Sequence, residues 1–523
     1  MDKTIAVIGT GAGGLSAAAH LAKKGVSVLG FEQRDRLGGL LAPFALKGYE
    51  FSPGVHYLGQ LGPEQSFGRE FVRLGIDPRD LFAEMADDFD VFRFPEFEIA
   101  MCSNLEHYRE RLVEAFPSDV RGVDRVIRAV EHIEAAQTLL SPRRHSLREY
   151  LGALGLLRWI RAPFAAYLDW ACEDEHLKAV WAAQCGDYGV PPSRAPAWLA
   201  LSVIAHYSSG AWFPKGGSGA LRDALVEVAE SNGAMFYTGT PISRIVASAR
   251  GVEAVESADG RRWEVDGVVA AIDPRHVYGS MLDSEFVPKN IARRLPSIES
   301  SLSGCSLYLG LSRDLRDDGW GAQNVWSYPD WDLDALYEPA LRGEMPEERI
   351  FFISPNSLKD PTGALAPDGG TAVEVVTLAP WAPFAKWENV PPSDRGDEYE
   401  ALMETLEREI RSDLGTRHPE LVADIEVCEL SSPLAYRHHL NAIDGGFYGP
   451  AQTSEQSMWN RFSPGAGPDG LVLAGQGVFG GGVSTAIMSG RVAAKVLEAQ
   501  LGTDESVPVS PGRPVHDPNE AGD

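Results

Sequence analysis

Apolar runs broken by glycine turns punctuate both ends of the chain. Thr4–Ile8 is apolar and leads into Gly9-Thr-Gly11-Ala-Gly13-Gly14; a small-residue stretch follows to Lys24, and Ser27–Phe31 is apolar again with Glu32 at its end. That pattern predicts strand, tight turn, helix and strand. The order recurs near the C-terminus, where Gly470–Gly475 precedes Gly480-Gly-Gly482 and a helical stretch beginning near Val483. Cys305–Leu311 and Thr371–Leu378 predict two more strands, and the charged, periodic Glu398–Leu414 predicts a surface helix. Alternating residues on either side of Ala258-Asp-Gly260 predict a hairpin that returns to the sheet through Trp263–Ile272.

The first unit carries chemistry. A GxGxxG turn between a strand and a helix, with an acid closing the next strand, is a dinucleotide fingerprint; a bare turn without nucleotide is the weaker reading. Gly9 permits the turn, Gly11 lets the backbone approach a pyrophosphate, and Gly14 lets the helix pack on the strand, with Gly13 inside the same turn. The first helical N–H groups face the anion. Glu32 accepts the hydroxyls of an adenosine ribose. The next stretch, Gln33-Arg34-Asp-Arg-Leu-Gly38-Gly39-Leu40, supplies a second glycine pair. A long FAD needs backbone N–H groups beyond the first turn, whereas NAD does not, so the pair favours FAD. Gly475, Gln476, Gly482 and Val483 form the matching C-terminal piece, where a helix N-terminus faces the flavin pyrimidine. That motif has no Cys or His for covalent attachment, so the FAD is expected to be non-covalent.

These motifs, with Gly48-Tyr-Glu-Phe-Ser-Pro-Gly-Val-His56-Tyr57-Leu-Gly59, Gly186-Asp-Tyr188-Gly-Val-Pro-Pro, His206-Tyr207, Trp212-Phe-Pro-Lys215-Gly-Gly and Gly445-Gly-Phe-Tyr448, carry a family resemblance. The chain resembles the phytoene desaturase, carotenoid isomerase and retinol saturase family of FAD-dependent polyene oxidoreductases, with retinol saturase nearest, over about Thr4 to Leu497. The resemblance implies an α/β fold: a discontinuous Rossmann-like FAD-binding domain with an interleaved α+β substrate domain on a mixed sheet. It also implies that Ile242 makes a backbone contact to adenine. The expected division is 1–75, 215–280 and 433–501 for FAD, and 76–214 and 281–432 for substrate. Residues 502–523, rich in Pro and acids, are expected to be disordered.

Composition narrows the rest. A chain of 523 residues exceeds what one core usually supports. Five scattered cysteines without CxxC indicate a reducing compartment with no disulfide framework and no zinc site. The first strand follows the N-terminus at once, and no apolar run reaches the ~18 residues of a bilayer span, so a cytoplasmic protein is expected. A net charge of −27 argues against nucleic acid as a partner. Against that acidity, 141–170 holds Arg143, Arg144, Arg148, Arg158 and Arg161 among Trp159, Phe164 and Tyr167. Two readings stand: a lid or peripheral membrane surface, or a core helix with solvated arginine ends.

Saturating a double bond needs a hydride from reduced flavin and a proton on the other carbon, and a buried Tyr or His can donate the latter. His56, Tyr57, Tyr188 and His206 are the catalytic candidates, with Tyr207, Tyr448 and Lys215 in the same motifs. For each alone, a packed aromatic with a bonded polar tip is the competing reading. His438-His439 lacks partners at metal-ligand spacing, so no metal is expected. The favoured function is reduction of C=C bonds in a long apolar polyene such as a carotenoid, retinoid or polyketide polyene, with an external electron donor or acceptor. Desaturation or isomerisation is the alternative. Flavin amine oxidase is more distant, because Leu40 stands where that family commonly has Arg.

Overall fold

The computed structural model describes residues 3–139, 155 and 157–502. Thr4–Ile8 lies at the centre of a five-stranded parallel sheet, ordered 235–237, 27–31, 4–8, 267–270 and 471–473. Alternate side chains serve opposite faces. Ile5, Val7, Val28, Val269 and Val472 pack under the helices Ala12–Ala22, Gly217–Ser231 and Val483–Leu501. Ala6, Ile8, Leu29, Phe31 and Val268 pack against Ile245, Val255 and Val265. With both faces covered, the strands read as continuous apolar runs.

The predicted hairpin is not part of the parallel sheet. Ile242–Ser248, Gly251–Ser257 and Arg262–Glu264 form a separate three-stranded antiparallel sheet over its second face, and the chain re-enters the parallel sheet at Gly267–Ala270. The short crossing between Glu264 and Gly267 explains why the sequence reads as one return.

A seven-stranded mixed sheet forms the other large layer, ordered 425–431, 304–311, 371–378, 351–354, 324–327, 88–94 and 97–102. Gly304–Leu311 and Thr371–Leu378 occupy the predicted positions, and the former is buried along its whole length. One face, with Leu307, Leu309, Val325, Ile353, Val373 and Val375, packs in a core with Leu406, Ile410 and Leu414. Those three come from the predicted surface helix, Gly396–Arg417, and form its buried stripe at i, i+4 spacing. The opposite face of the sheet turns towards the parallel sheet and bounds the site described below.

Residues 140–154, 156 and 503–523 lie outside the described residues, and with them most of the arginine-rich segment and the expected tail. The described remainder corrects one expectation. Phe164 and Tyr167 do not face outward: the helix Phe164–Ala171 buries both in the core. Trp159 is partly buried and stands edge-on to Tyr167, while Leu157 and Trp170 are the exposed large side chains. Arg158 lies over the rings of both Trp159 and Trp170. Among the described residues no helix is long and apolar enough to cross a membrane.

Candidate active site

A cavity of about 660 Å³ runs from the first glycine turn to the mixed sheet. Its first end is made of backbone. Gly9 has φ +85° and donates its N–H to Phe31 O. A Cβ on Gly14 would stand 1.9 Å from Gly9 O, so only glycine lets helix and strand meet there. A Cβ on Gly11 would meet no protein atom within 4 Å, and Gly11 lines the cavity. That unfilled space beside helix amides without intrahelical partners suits a phosphate group. Gly39 comes up against the same turn, since its Cβ would lie 3.2 Å from Gly11 Cα, and Gly38 N–H donates to Thr10 O.

Glu32 is buried at the strand end and lines the cavity. Its Oε2 accepts from the N–H and hydroxyl of Thr10, and its Oε1 accepts from Arg34 N–H. Three of about four acceptor positions are thus occupied by the protein. The carboxylate has room for one further donor, where the sequence reading expected it to take both ribose hydroxyls.

Gly9, Gly11, Gly13, Glu32, Gln33, Gly39, Leu40, Ile242, Gly475, Gln476, Gly482 and Val483 all line the cavity. Gly14, Arg34 and Gly38 do not. Gly14 and Gly38 shape the turn from behind, and the Arg34 guanidinium reaches the His438 carbonyl and the rings of His438 and His439 instead. Among the described residues there is no group of three or more His, Cys, Asp or Glu arranged to hold a metal ion.

The second end is made of side chains on one face of the mixed sheet. Register sets Phe352 beside Val376 and Trp326 beside Phe352, and the Trp326 and Phe352 rings lie 4.5 Å apart. With Leu302, Tyr337, Ile350, Leu378 and Phe447 they give the cavity an apolar, aromatic wall. The adjoining row is polar. Glu374 pairs with Ser354, Ser354 Oγ donates to Asn324 Oδ1, and Asn324 pairs with Asp90, to which its amide donates. Lys359 Nζ caps this row by donating to Asn324 Oδ1 at 2.5 Å, Ser354 Oγ at 2.5 Å and the His56 carbonyl at 2.9 Å.

Burial governs the charges. It pushes the Lys359 ammonium down to about 7, the Glu374 carboxyl up to about 7 and the Asp90 carboxyl up to about 6. His56 lines the cavity with Nδ1 3.5 Å from Glu374 Oε2, and burial, seconded by Lys359, holds its imidazole down at about 3. Tyr57 Oη is 3.0 Å from Asp90 Oδ2 and 2.7 Å from Asp187 Oδ2, and the Tyr207 ring stacks on it at 4.3 Å. Asp187 is only half-buried as a residue because its exposed part faces the cavity it lines; desolvation and the nearby Asp90 charge hold its carboxyl well above the usual range. Gly186 passes over Trp326 at a distance no side chain permits, and its carbonyl accepts from Tyr448 Oη.

The structure therefore splits the four catalytic candidates. His56 lines the cavity, and Tyr57 stands behind the wall, hydrogen-bonded to the lining Asp187. Tyr188 sits in the core outside the cavity wall. His206 is also outside it: Nε2 accepts the Gly59 N–H at 2.9 Å, and burial depresses its pKa to about 4, so the ring is a neutral clamp on that strand. Lys215 donates to the Arg79 carbonyl. Asp90, Asp187, Lys359 and Glu374 were missed, though Glu374 was visible as the one charge inside the apolar run 371–378.

A family model described as flavin containing amine oxidoreductase matches residues 12–497. The chain is similar to the all-trans-retinol 13,14-reductase of Danio rerio, at 26% identity over 86% of this chain and 77% of that protein. It is similar to the zeta-carotene-forming phytoene desaturase of Myxococcus xanthus, at 28% identity over 87% of this chain and 85% of that protein. Among solved structures, an oxidoreductase from Methanosarcina mazei superposes with a TM-score of 0.61 at 18% identity, covering 93% of this chain and 99% of that one.

Proposed function

The chain belongs to the flavin containing amine oxidoreductase family, which implies a flavin cofactor, and from that premise we propose that it is an FAD-dependent oxidoreductase that reduces a C=C bond of a long apolar polyene. The observation that carries this reading is the continuity of one cavity, from glycine turns suited to a dinucleotide to an aromatic wall suited to a conjugated hydrocarbon. The FAD is bound non-covalently, with its adenosine half on Gly9–Gly14, Glu32 and Ile242 and its flavin towards Gly475–Val483. Residues 1–75, 215–280 and 433–501 hold the cofactor and 76–214 and 281–432 the substrate.

When bound, the flavin supplies hydride chemistry at carbon. The chain's own residues do the rest. Trp326, Phe352, Ile350 and Leu378 seat the apolar chain and exclude water, and the cluster around Tyr57 manages the proton. An ammonium substrate fits less well. Of the carboxyls at the wall, Asp273 is held by Arg275 in a bidentate pair and Asp187 by Tyr57. Reduction is preferred to desaturation by the likeness to proteins named retinol reductases, and electrons reach the flavin from a donor outside this chain. Leu157 and Trp170, flanked by Arg125 and Arg158, form a face that meets an anionic membrane, from which so apolar a substrate is drawn.

Anaerobic incubation of the pre-reduced, flavin-loaded protein with retinoid and carotenoid polyenes tests the assignment by product mass. A gain of two hydrogens is expected. A loss of two hydrogens by the oxidised protein overturns it in favour of desaturation, and unchanged mass with altered retention in favour of isomerisation.

A further inference from the structure

Hydrogen counting at Tyr57 identifies a proton that the sequence does not announce. Its phenol oxygen is 2.7 Å from Asp187 Oδ2 and 3.0 Å from Asp90 Oδ2, both hydrogen-bond distances. A phenol has one hydrogen and donates it once. Two ionised carboxylates would leave one of these contacts as two oxygens with no hydrogen between them, and two like charges sharing one buried site. One carboxyl therefore carries a proton and donates it to the phenol.

The remaining partners decide which one. Asp90 Oδ2 also accepts from Gln184 Nε2 at 2.9 Å, and its Oδ1 accepts from Asn324 Nδ2 at 3.1 Å. A carboxyl that only accepts, from three donors, is suited to be the charged one. Beyond Asn324 stands Lys359, the cation that balances it. Asp187 has no such set: among the described residues its hydrogen-bond partner is Tyr57, and its free side is the cavity. The hydrogens then run from Asp187 to Tyr57 and from Tyr57 to Asp90.

We propose that Asp187 is the catalytic acid of this site, a neutral carboxylic acid at the cavity wall that protonates the substrate carbon. This deepens the reading of the protein as a C=C reductase and rests on it. In the step, one alkene carbon gains a hydride, with its electron pair, from the reduced flavin. The π pair moves to the neighbouring carbon and forms a bond to the Asp187 proton, leaving a carboxylate. Tyr57 turns its single hydrogen from Asp90 to Asp187 and stabilises the new charge, while Asp90 keeps its two amide donors. Water returns the proton. Tyr57 is thus a positioning residue, held by the stacked Tyr207 ring, and Asp187 is the donor.

Infrared spectroscopy of flavin-loaded protein carrying isotopically labelled aspartate carboxyls tests the proton without any substrate. At neutral pH the labelled wild type should show a neutral-acid C=O band that shifts in heavy water, and Asp187→Asn should lose it. A wild-type spectrum with labelled carboxylate bands alone overturns the proposal, even if the variant fails to fold. In single turnover of the pre-reduced protein, Asp187→Asn should form product ~10²–10⁴-fold more slowly with unchanged flavin content. Tyr57→Phe should cost less and move the pH profile of that rate. A wild type that reduces polyenes alongside an Asp187→Asn variant within a few-fold of it overturns Asp187 and leaves the function standing. A wild type that reduces none overturns the function, and the labelled band then reports separately on the proton.

Discussion

At one end of the cavity the chain works with its backbone, and at the other with its side chains. The heart of the glycine end is contiguous in sequence: turn, helix amides and Glu32 fall within residues 9–32, and the shape comes from what glycine lacks. The sheet end is assembled from residues 57, 90, 187, 324, 359 and 374, which register and packing bring together. A site of the first kind tolerates no added atom. The second kind tolerates no unbalanced charge, because all its members but the cavity-facing Asp187 have left water and depend on one another.

Substitutions that add atoms should separate two roles within the glycine end. Gly14→Val forces a side chain into Gly9 O and should cost more than about 3 kcal/mol of overpacking, read as loss of soluble, cooperatively melting protein. Gly11→Val points into open cavity and should leave the circular dichroism and melting of the protein intact while denaturation releases no flavin. Equal behaviour of the two variants would erase the distinction between shaping the turn and receiving the ligand.

At the sheet end, Lys359→Met removes the cation and leaves Asp90 and Glu374 without it. A loss of about 3–5 kcal/mol in urea denaturation is expected, and Lys359→Arg should not restore it in so enclosed a place. Glu32→Ala, back at the first end, should weaken flavin affinity by about 1.5–3 kcal/mol, read by flavin titration of the apoprotein. Part of that loss belongs to the Thr10 turn that the same carboxylate anchors.

The smallest expected effect is a slope. Glu374 titrates at about 7 in the folded chain against an ordinary 4.5, so between those values the folded state binds more protons than the unfolded one. Stability from this group is present below pH 4.5 and is lost as pH rises through 7, by less than about 1.4 kcal/mol per pH unit. Glu374→Gln should flatten the denaturation-versus-pH curve across that window. An unchanged slope would mean that Lys359 and Glu374 exchange one proton between them.

The same contrast explains what could be read in advance. The cradle was legible because turn geometry demands glycine at fixed offsets, and the strands 304–311 and 371–378 because burial on both faces makes them continuously apolar. The polar row was not, since its members are separated by up to hundreds of residues and meet only through strand register. Glu374 stood out as an acid inside an apolar run, whereas Asp90 sits among Asp88 and Arg93, and period alone does not say which face either occupies. Asp187 sat within a quoted motif beside Tyr188, and a choice by residue type favoured the tyrosine. His206 stands apart from the cavity for the opposite reason: its motif is specific, and it holds a close approach to Gly59.

Helix 12–22 packs on helix 483–501 so closely that a Cβ on Gly490 would lie 2.3 Å from Gly13 O. During synthesis, the turn at 9–14 therefore waits for Gly490 and its helix to emerge. Until then the side of helix 12–22 that meets helix 483–501 has no cover, and the nascent chain offers that apolar stripe to whatever it meets. The cofactor cradle is a late product of folding, completed only when helix 483–501 closes on helix 12–22. A ribosome that stops short of Gly490 releases a protein with its fingerprint written and no pocket to show for it.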